Sequence, residues 1–416
     1  MVQHGEAGAD ANPARRNTMI NLLYVFFIFL LSMYYLSIAE PLGPLFDLLG
    51  VPVGNRTFVV EGMMLIVCSA IFAISRSKAM IARQLFRLSL AWVPFILFMI
   101  FRCDFGDPYS LKKLGLMIVA QFMTLIFVCV AYVNDPDRFD MHFYPCTIVI
   151  ASLLFVYLLA NPSKFEYGGV VERLSLETIN PIWLARSFAT GSLCFLLLSK
   201  GPKWLIYAGC GLFIPGIILT GSRGPLLSLL LTVALFWMWR GLKSRRAFIT
   251  GIVLICAILP VAVIVLDQYQ PTLDRYFQRG STKTMFVQSG RFDGVTIALR
   301  EFSSAPLLGR GLGKYGAVEG IRIKSFTNKQ VVQAVYPHNV PAEVLAELGL
   351  CGFALFLIAL RPGKWMYNLS NRYVFLFILS LLFSLSSGDI TGNSGLFIFG
   401  LISRLASEHY GQESRR

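Results

Sequence analysis

Apolar runs of about the length needed to cross a bilayer recur along this chain, and that repetition constrains the fold more than any other feature. They lie near 18–38, 57–74, 87–101, 114–133, 144–160, 183–199, 204–221, 225–240, 248–266, 342–360, 373–388 and 394–407. A transmembrane helix needs roughly 20 apolar residues and a barrel strand only about 9–11. In lipid, only helices and closed barrels satisfy their own backbone hydrogen bonds. The expectation is an all-α polytopic integral membrane protein with about twelve transmembrane helices and both ends on one side. Its plan is a tail over 1–17, spans over 18–266, one large polar insertion over 267–340, spans over 341–407 and a tail over 408–416. The composition agrees, being 56% hydrophobic and 14% charged, whereas soluble domains carry about 25% charged residues.

A formal net charge of +14 would point to nucleic acid in a soluble protein. Here the cations sit mostly in short connections. Arg76, Lys78, Arg83 and Arg87 follow the second run, Lys200 and Lys203 the sixth, Arg240, Lys243, Arg245 and Arg246 the eighth, and Arg361, Lys364 and Arg372 the tenth. All four loops fall on the side of the N-terminus, so the positive-inside rule makes that side cytoplasmic, with no nucleic acid as partner. Two loops run against the rule and are treated as noise: 102–113, with Arg102, Lys112 and Lys113 outside, and 134–141, with three aspartates inside. The insertion over 267–340 is then a large periplasmic loop in the inner membrane of a bacterium, facing the same side as 39–56, 161–182 and the turns 221–224 and 389–394.

The polar start up to Met19 reads as disordered, and the first apolar run, too long for a signal peptide, as a retained helix. Of eight cysteines, Cys68, Cys129, Cys194, Cys210, Cys256 and Cys351 lie within apolar runs and none forms a CxxC pair, which predicts buried thiols rather than disulfides. Within the long loop, Thr272 to Phe277 and Val295 to Phe302 read as short amphipathic helices lying over the membrane mouth.

His338 is the sharpest chemical candidate, because histidine is the side chain that exchanges a proton near neutral pH and only four occur. Asn339 is placed to cap the next helix and Pro341 suits its first turn, which sets His338 against the positive end of a helix dipole and favours a neutral imidazole available as a base. A second constellation is cationic: Arg186 inside the sixth run, Arg223 in the turn Gly221-Ser222-Arg223-Gly224-Pro225, Arg291 after Ser289-Gly290, and Arg310 and Lys314 flanking the glycines of 309–316. Guanidinium groups at membrane depth are costly, so Arg186 and Arg223 are functional candidates. Planar forks suit phosphate oxygens and several together can hold a pyrophosphate without a metal; headgroup or carboxylate pairing is the bland alternative.

Other motifs carry less. The glycines of 309–316 follow no strand of a βαβ unit and fail as a nucleotide fingerprint. Asp135-Pro136-Asp137 has a metal-binding spacing but lies on the cytoplasmic side as a solvated turn. Ser222 and Ser289 lack a Gly-x-Ser-x-Gly elbow, and a single outward histidine without H-E-x-x-H does not make a zinc site.

Asn180-Pro181, Ser222-Arg223-Gly224, Ser289-Gly290-Arg291, His338-Asn339 and Glu347-Leu348-Gly349 occur in that order and on one predicted membrane face. In these residues, and over most of the chain from about residue 180 onward, the sequence resembles the bacterial O-antigen ligase and polymerase superfamily. One departure is Pro341, where that pattern leads us to expect a longer apolar or aromatic residue. The resemblance implies a GT-C-like membrane glycosyltransferase that moves a glycan from undecaprenyl pyrophosphate to a sugar hydroxyl of lipid A–core, with inversion, no cofactor and no metal. It implies His338 as the base, Arg223 and Arg291 on the departing pyrophosphate and Arg186 assisting, with Asn339, Arg310 and Lys314 as further substrate-binding candidates. An O-antigen polymerase or a protein oligosaccharyltransferase would use the same donor. A polyprenyl-linked glycan transporter would instead place charged or broken helices near the bilayer midplane.

Overall fold

The computed structural model describes residues 13–36, 46, 50, 56–75, 77–160, 163–167, 171–175, 180–198, 208–209, 211–241, 291–316 and 336–413. The helices are α1 (Pro13–Tyr35), α2 (Arg56–Ile74), α3 (Lys78–Arg102), α4 (Pro108–Gly115), α5 (Thr124–Asn134), α6 (Pro136–Ala160), α7 (Pro181–Leu197), α8 (Ile214–Leu219), α9 (Arg223–Gly241), α10 (Arg291–Ser304), α11 (Val340–Leu360), α12 (Tyr373–Ser386) and α13 (Ser394–Glu413). A π-helical stretch, Leu116–Met123, joins α4 to α5 without interruption. A two-stranded antiparallel hairpin, β1 (Ser163–Tyr167) and β2 (Val171–Ser175), pairs Ser163 with Ser175 and Tyr167 with Val171. It is the departure from an all-helical plan among the described residues.

Among the described residues, six helical stretches are long and apolar enough to cross a membrane: Asn17–Tyr35, Arg56–Ile74, Lys78–Arg102, Pro108–Asn134, Pro136–Ala160 and Val340–Leu360. They coincide with the apolar runs from 18–38 to 144–160 and with 342–360. Pro181–Leu197 and Tyr373–Ser386 are apolar but shorter. The run 248–266 and the expected helix over 272–277 lie outside the described residues, and the run 204–221 is described only from 208 on. The chain is therefore a multi-pass helical membrane protein, with twelve crossings as an expectation. The helix read at 295–302 is present as part of α10, and α1 begins at Pro13, so order starts earlier than the polar composition implied. Cys68, Cys129 and Cys194 are buried free thiols, whereas Cys351 is exposed on the outer face of α11; Cys210 and Cys256 fall outside the described residues.

The packing is centred on α5, which contacts α2, α3 and α13 and is buried from Thr124 to Val133 except at the half-buried Ile126. Around it α1 lies on α2 and α6, α7 on α6, α11 on α3, and α12 on α13 and α9. Ring contacts such as Trp92–Phe397 at 5.1 Å and Phe95–Phe356 at 5.9 Å tie α3 to α13 and α11.

Contacts between connections sort the helix ends into two groups. At one end Arg87 and Gln84 meet Glu408, Arg361 bonds the carbonyl of Arg87, Arg372 bonds that of Leu197, and Tyr373 bonds Asp140. At the other, residues 102–113, 183–187, 305–316, 336–343 and 383–393 meet one another. The second group contains the candidate residues, and three of its helices open alike: Asp107, Asn180 and Asn339 each cap a helix with a proline in its first turn.

Candidate functional site

His338 sits where three elements meet. Its backbone is left-handed, with φ 57°, a conformation that strains a residue carrying a Cβ and that clusters at functional positions. Asn339 then caps α11 by accepting the amide of Ala342 at 3.0 Å, as the sequence predicted, and its own amide donates to the carbonyl of Leu385 at 3.1 Å. The half-buried imidazole meets the edge of Tyr336 at 4.6 Å.

Arg291 opens α10. One turn on, Gly294 abuts Pro337, whose Cα and carbonyl oxygen would each lie 3.2 Å from any Cβ placed there. The residue before the histidine thus touches the first turn of the helix that Arg291 begins. Tyr315 secures this joint by donating to the carbonyl of Gly294 at 2.8 Å.

Arg186 approaches from the other flank. It is 6% exposed, and its Nη2 donates to the carbonyls of Phe383 (3.0 Å) and Ser387 (2.5 Å) and to Ser387 Oγ (2.7 Å), while the guanidinium lies over Trp183 at 4.6 Å. A cation there complements the negative end of the α12 dipole and satisfies its last carbonyls. Leu385, which holds Asn339, lies between Phe383 and Ser387, so Arg186 and the His338-Asn339 pair grip one turn of α12, a span of about 5.4 Å. Gly388 (φ 76°) keeps the turn open, because a Cβ would lie 3.4 Å from both terminal nitrogens of Arg186.

Arg223 is half-buried and begins α9 after the turn at Gly221 (φ 63°) and the buried Ser222. The far end of α9 packs Phe236 and Trp239 on Phe375, near the start of α12. Arg223 therefore lies at the opposite end of α9, the end shared with the last turn of α12. A cation at a helix N-terminus opposes the dipole, and the combination favours an anion.

Arg310 and Lys314 have protein partners. Arg310 is exposed and donates to Ser304 Oγ. Lys314 bridges Asp104 (2.6 Å) and Asp107 (3.1 Å). The glycine run that contains them is a docking device. Gly349, at φ 65° and ψ −166°, breaks α11, and the loop enters the gap. The amides of Arg310 and Gly311 donate to the carbonyls of Ala346 and Glu347, and those of Leu350 and Cys351 to Pro306 and Leu307, all at 2.8–3.1 Å. A Cβ at Gly309 would overlap the Glu347 carbonyl and the Leu348 amide. Arg102 completes the joint, its Nη2 donating to the carbonyl of Gly309 at 2.8 Å and its own carbonyl accepting from Leu312.

Beneath this joint lies a charge cluster that sequence reading missed. Lys113 donates to Glu343 and to both carboxylate oxygens of Glu347, at 2.8 Å each for the latter, and each of the three side chains is at most 3% exposed. The remaining capacity of the carboxylates is met by backbone: Ile390 N–H on Glu343 (2.9 Å) and Gly313 N–H on Glu347 (2.8 Å). The signal was present, since Lys113, Glu343 and Glu347 are ionisable residues at the edges of apolar runs, with the glutamates one turn apart. By the positive-inside rule alone, Lys113 and Arg102 read as exceptions. Nearby, Gln121 of the π-helical stretch donates to the carbonyl of Thr391 at 2.6 Å.

Residues 208–357 match the family model described as O-antigen ligase. The match runs from α8 through most of α11, taking in Arg223, Arg291, Arg310, Lys314, His338 and both buried glutamates, while Arg186 and Lys113 lie before it. A search of curated proteins finds no match. The resemblance carried by the short motifs is thus borne out over residues 208–357, where the chain is similar to the O-antigen ligase family.

Proposed function

We propose that this protein is an O-antigen ligase that transfers glycan from undecaprenyl pyrophosphate to a sugar hydroxyl of lipid A–core at the periplasmic face of the inner membrane. The observation that carries the assignment of the base is His338 itself, held in a left-handed backbone between the first turn of α10 and the last turn of α12. In the reaction the acceptor oxygen attacks the anomeric carbon and the bond from that carbon to the pyrophosphate oxygen breaks. The hydroxyl proton passes to the imidazole, and the diphosphate leaves as an anion. Direct displacement inverts the anomeric centre.

A diphosphate leaving group needs charge stabilisation more than protonation. Arg223 and Arg291, each at a helix N-terminus, supply it, and the dipoles of α9 and α10 act in the same sense. Arg186 and Asn339 assist by fixing the α12 turn beside the imidazole. Arg310 and Lys314 act by holding the 305–316 loop in the gap of α11. The chemistry proceeds without a metal ion.

The test is transfer by purified protein supplied with carrier-linked glycan and lipid A–core in EDTA. A positioned base contributes about 10²–10⁴ in rate, so His338→Ala should lose that factor. Wild-type turnover by His338→Ala would refute the assignment of the base. Product found only on a second carrier-linked unit would make the enzyme a polymerase.

A further inference from the structure

At the end of the molecule remote from His338, an open groove of about 510 Å³ lies between α3 and α11. Its walls are Leu90, Ala91, Leu357 and Ile358, and its mouth carries Arg87 and Arg361. The walls open outward, with Leu90 59%, Leu357 40% and Ile358 52% exposed, as suits side chains that meet acyl chains.

The charge at the mouth is unbalanced. Arg361 Nη1 donates to the carbonyl of Arg87 at 3.4 Å, which brings the two guanidinium-bearing residues together. Glu408 is shared among Arg87 (3.6 Å), Arg404 (4.0 Å) and the amide of Gln84 (3.0 Å). Two guanidinium groups thus share one carboxylate, and Arg361, on the carbonyl of Arg87, adds a further positive charge at the edge of the apolar slot. An excess of cations over carboxylates at one edge favours a bound anion, and planar forks suit phosphate oxygens. An inorganic anion would leave the apolar slot unfilled, and a neutral lipid would leave the cationic excess standing. A headgroup phosphate at Arg87 and Arg361 with a hydrocarbon tail along Leu90, Leu357 and Ile358 satisfies both, and basic pockets between helices on a cytoplasmic face bind such lipids.

We infer that the α3–α11 groove is a binding site for one anionic glycerophospholipid, its phosphate between Arg87 and Arg361 and its acyl chain against the leucine and isoleucine walls. The site is separate from the glycan-transfer centre and does not depend on the assignment of that reaction.

The experiment is native mass spectrometry and thermal unfolding of the full chain in a neutral detergent, with phosphatidylglycerol, phosphatidylethanolamine or inorganic phosphate added separately. Wild type should retain one phosphatidylglycerol per chain and gain thermal stability from it by mass action, with no gain from the other two. Arg87→Gln/Arg361→Gln should lower retention by roughly tenfold or more, the scale of losing charge-assisted hydrogen bonds. Ile358→Trp fills the slot while leaving both arginines, and should lower retention as well, which keeps the test valid if the charge variant fails to fold. Equal retention by wild type and both variants, equal binding of phosphatidylethanolamine, stabilisation by phosphate alone, or no lipid on the wild type because another part of the protein fills the groove would each overturn the proposal.

Discussion

Removing the ammonium of Lys113 while leaving its partners is the most discriminating perturbation the structure offers. Lys113→Met leaves Glu343 and Glu347 buried on adjacent turns of α11, each keeping one backbone donor, Ile390 N–H and Gly313 N–H. Residues four apart on a helix stand about 6 Å apart, so two negative charges at an effective dielectric constant of about 20 repel by roughly 3 kcal/mol. The attraction lost with the ammonium adds to this, which places the variant in the range of about 3–5 kcal/mol found for breaking buried pairs. Replacing the whole cluster (Lys113→Met with Glu343→Gln and Glu347→Gln) removes all the charge but keeps acceptors for both amides, and should fall within about 1–2 kcal/mol of wild type. The assay is unfolding of purified protein in mixed micelles, read as free energy, for wild type, the single variant and the triple variant. A Lys113→Met protein as stable as wild type, or a triple variant no better than the single one, would refute the view that charge balance holds the 305–316 loop and the 387–393 turn on α11.

Other outcomes follow from particular contacts. Gly349→Ala forces a Cβ into a positive-φ, extended-ψ conformation that is essentially glycine's alone, 2.5 Å from Gly309 N; the conformation alone costs about 1–3 kcal/mol and the overlap more, so little folded protein should be recovered on gel filtration. Asn339→Ala removes the α11 cap and the bond to Leu385, and should cost about 1 kcal/mol of stability with a larger proportional fall in transfer rate. The hydrogen bond from Lys314, and then that from Gly106 N–H, hold the Asp104 carboxyl below its ordinary 3.8, while the bond to Asp104 holds Lys314 above its ordinary 10.5. The Asp104 contribution is present above pH 3.8 and lost as pH falls through the depressed value. That of Lys314 is present below pH 10.5 and lost as pH rises through the raised one. The difference in unfolding midpoint between wild type and Lys314→Met should therefore be flat near neutrality and vanish in strong acid.

The helical plan was legible because bilayer length and backbone hydrogen bonding leave few alternatives, and the Asn339 cap followed from Asn-x-Pro chemistry alone. What the sequence could not display was pairing between distant segments. The glycines of 309–316 could be read only as a failed phosphate loop, because their partner, the break at Gly349, lies 33 or more positions along the chain. Lys113 was set aside by a rule about topology, since its neutralising carboxylates are 230 and 234 residues away. Two glycines between Tyr167 and Val171 are a turn signal for the β1–β2 hairpin, but the flanking segments are too short and polar to stand out among apolar runs. Arg186 was selected for its depth, and the structure adds that it holds the end of α12.

The interruption at Gly349 also makes the upper half of α11 a spacer of a single permitted length. Each residue of helix adds 1.5 Å and turns the following ones by about 100°. The segment is anchored at Asn339 by Leu385 and at Gly349 by the inserted loop 305–311. One residue more or fewer between those anchors would either swing both glutamates away from Lys113 or carry the imidazole about a quarter of a turn around the helix axis. Changes of length in chains built on this plan must therefore be absorbed outside that interval.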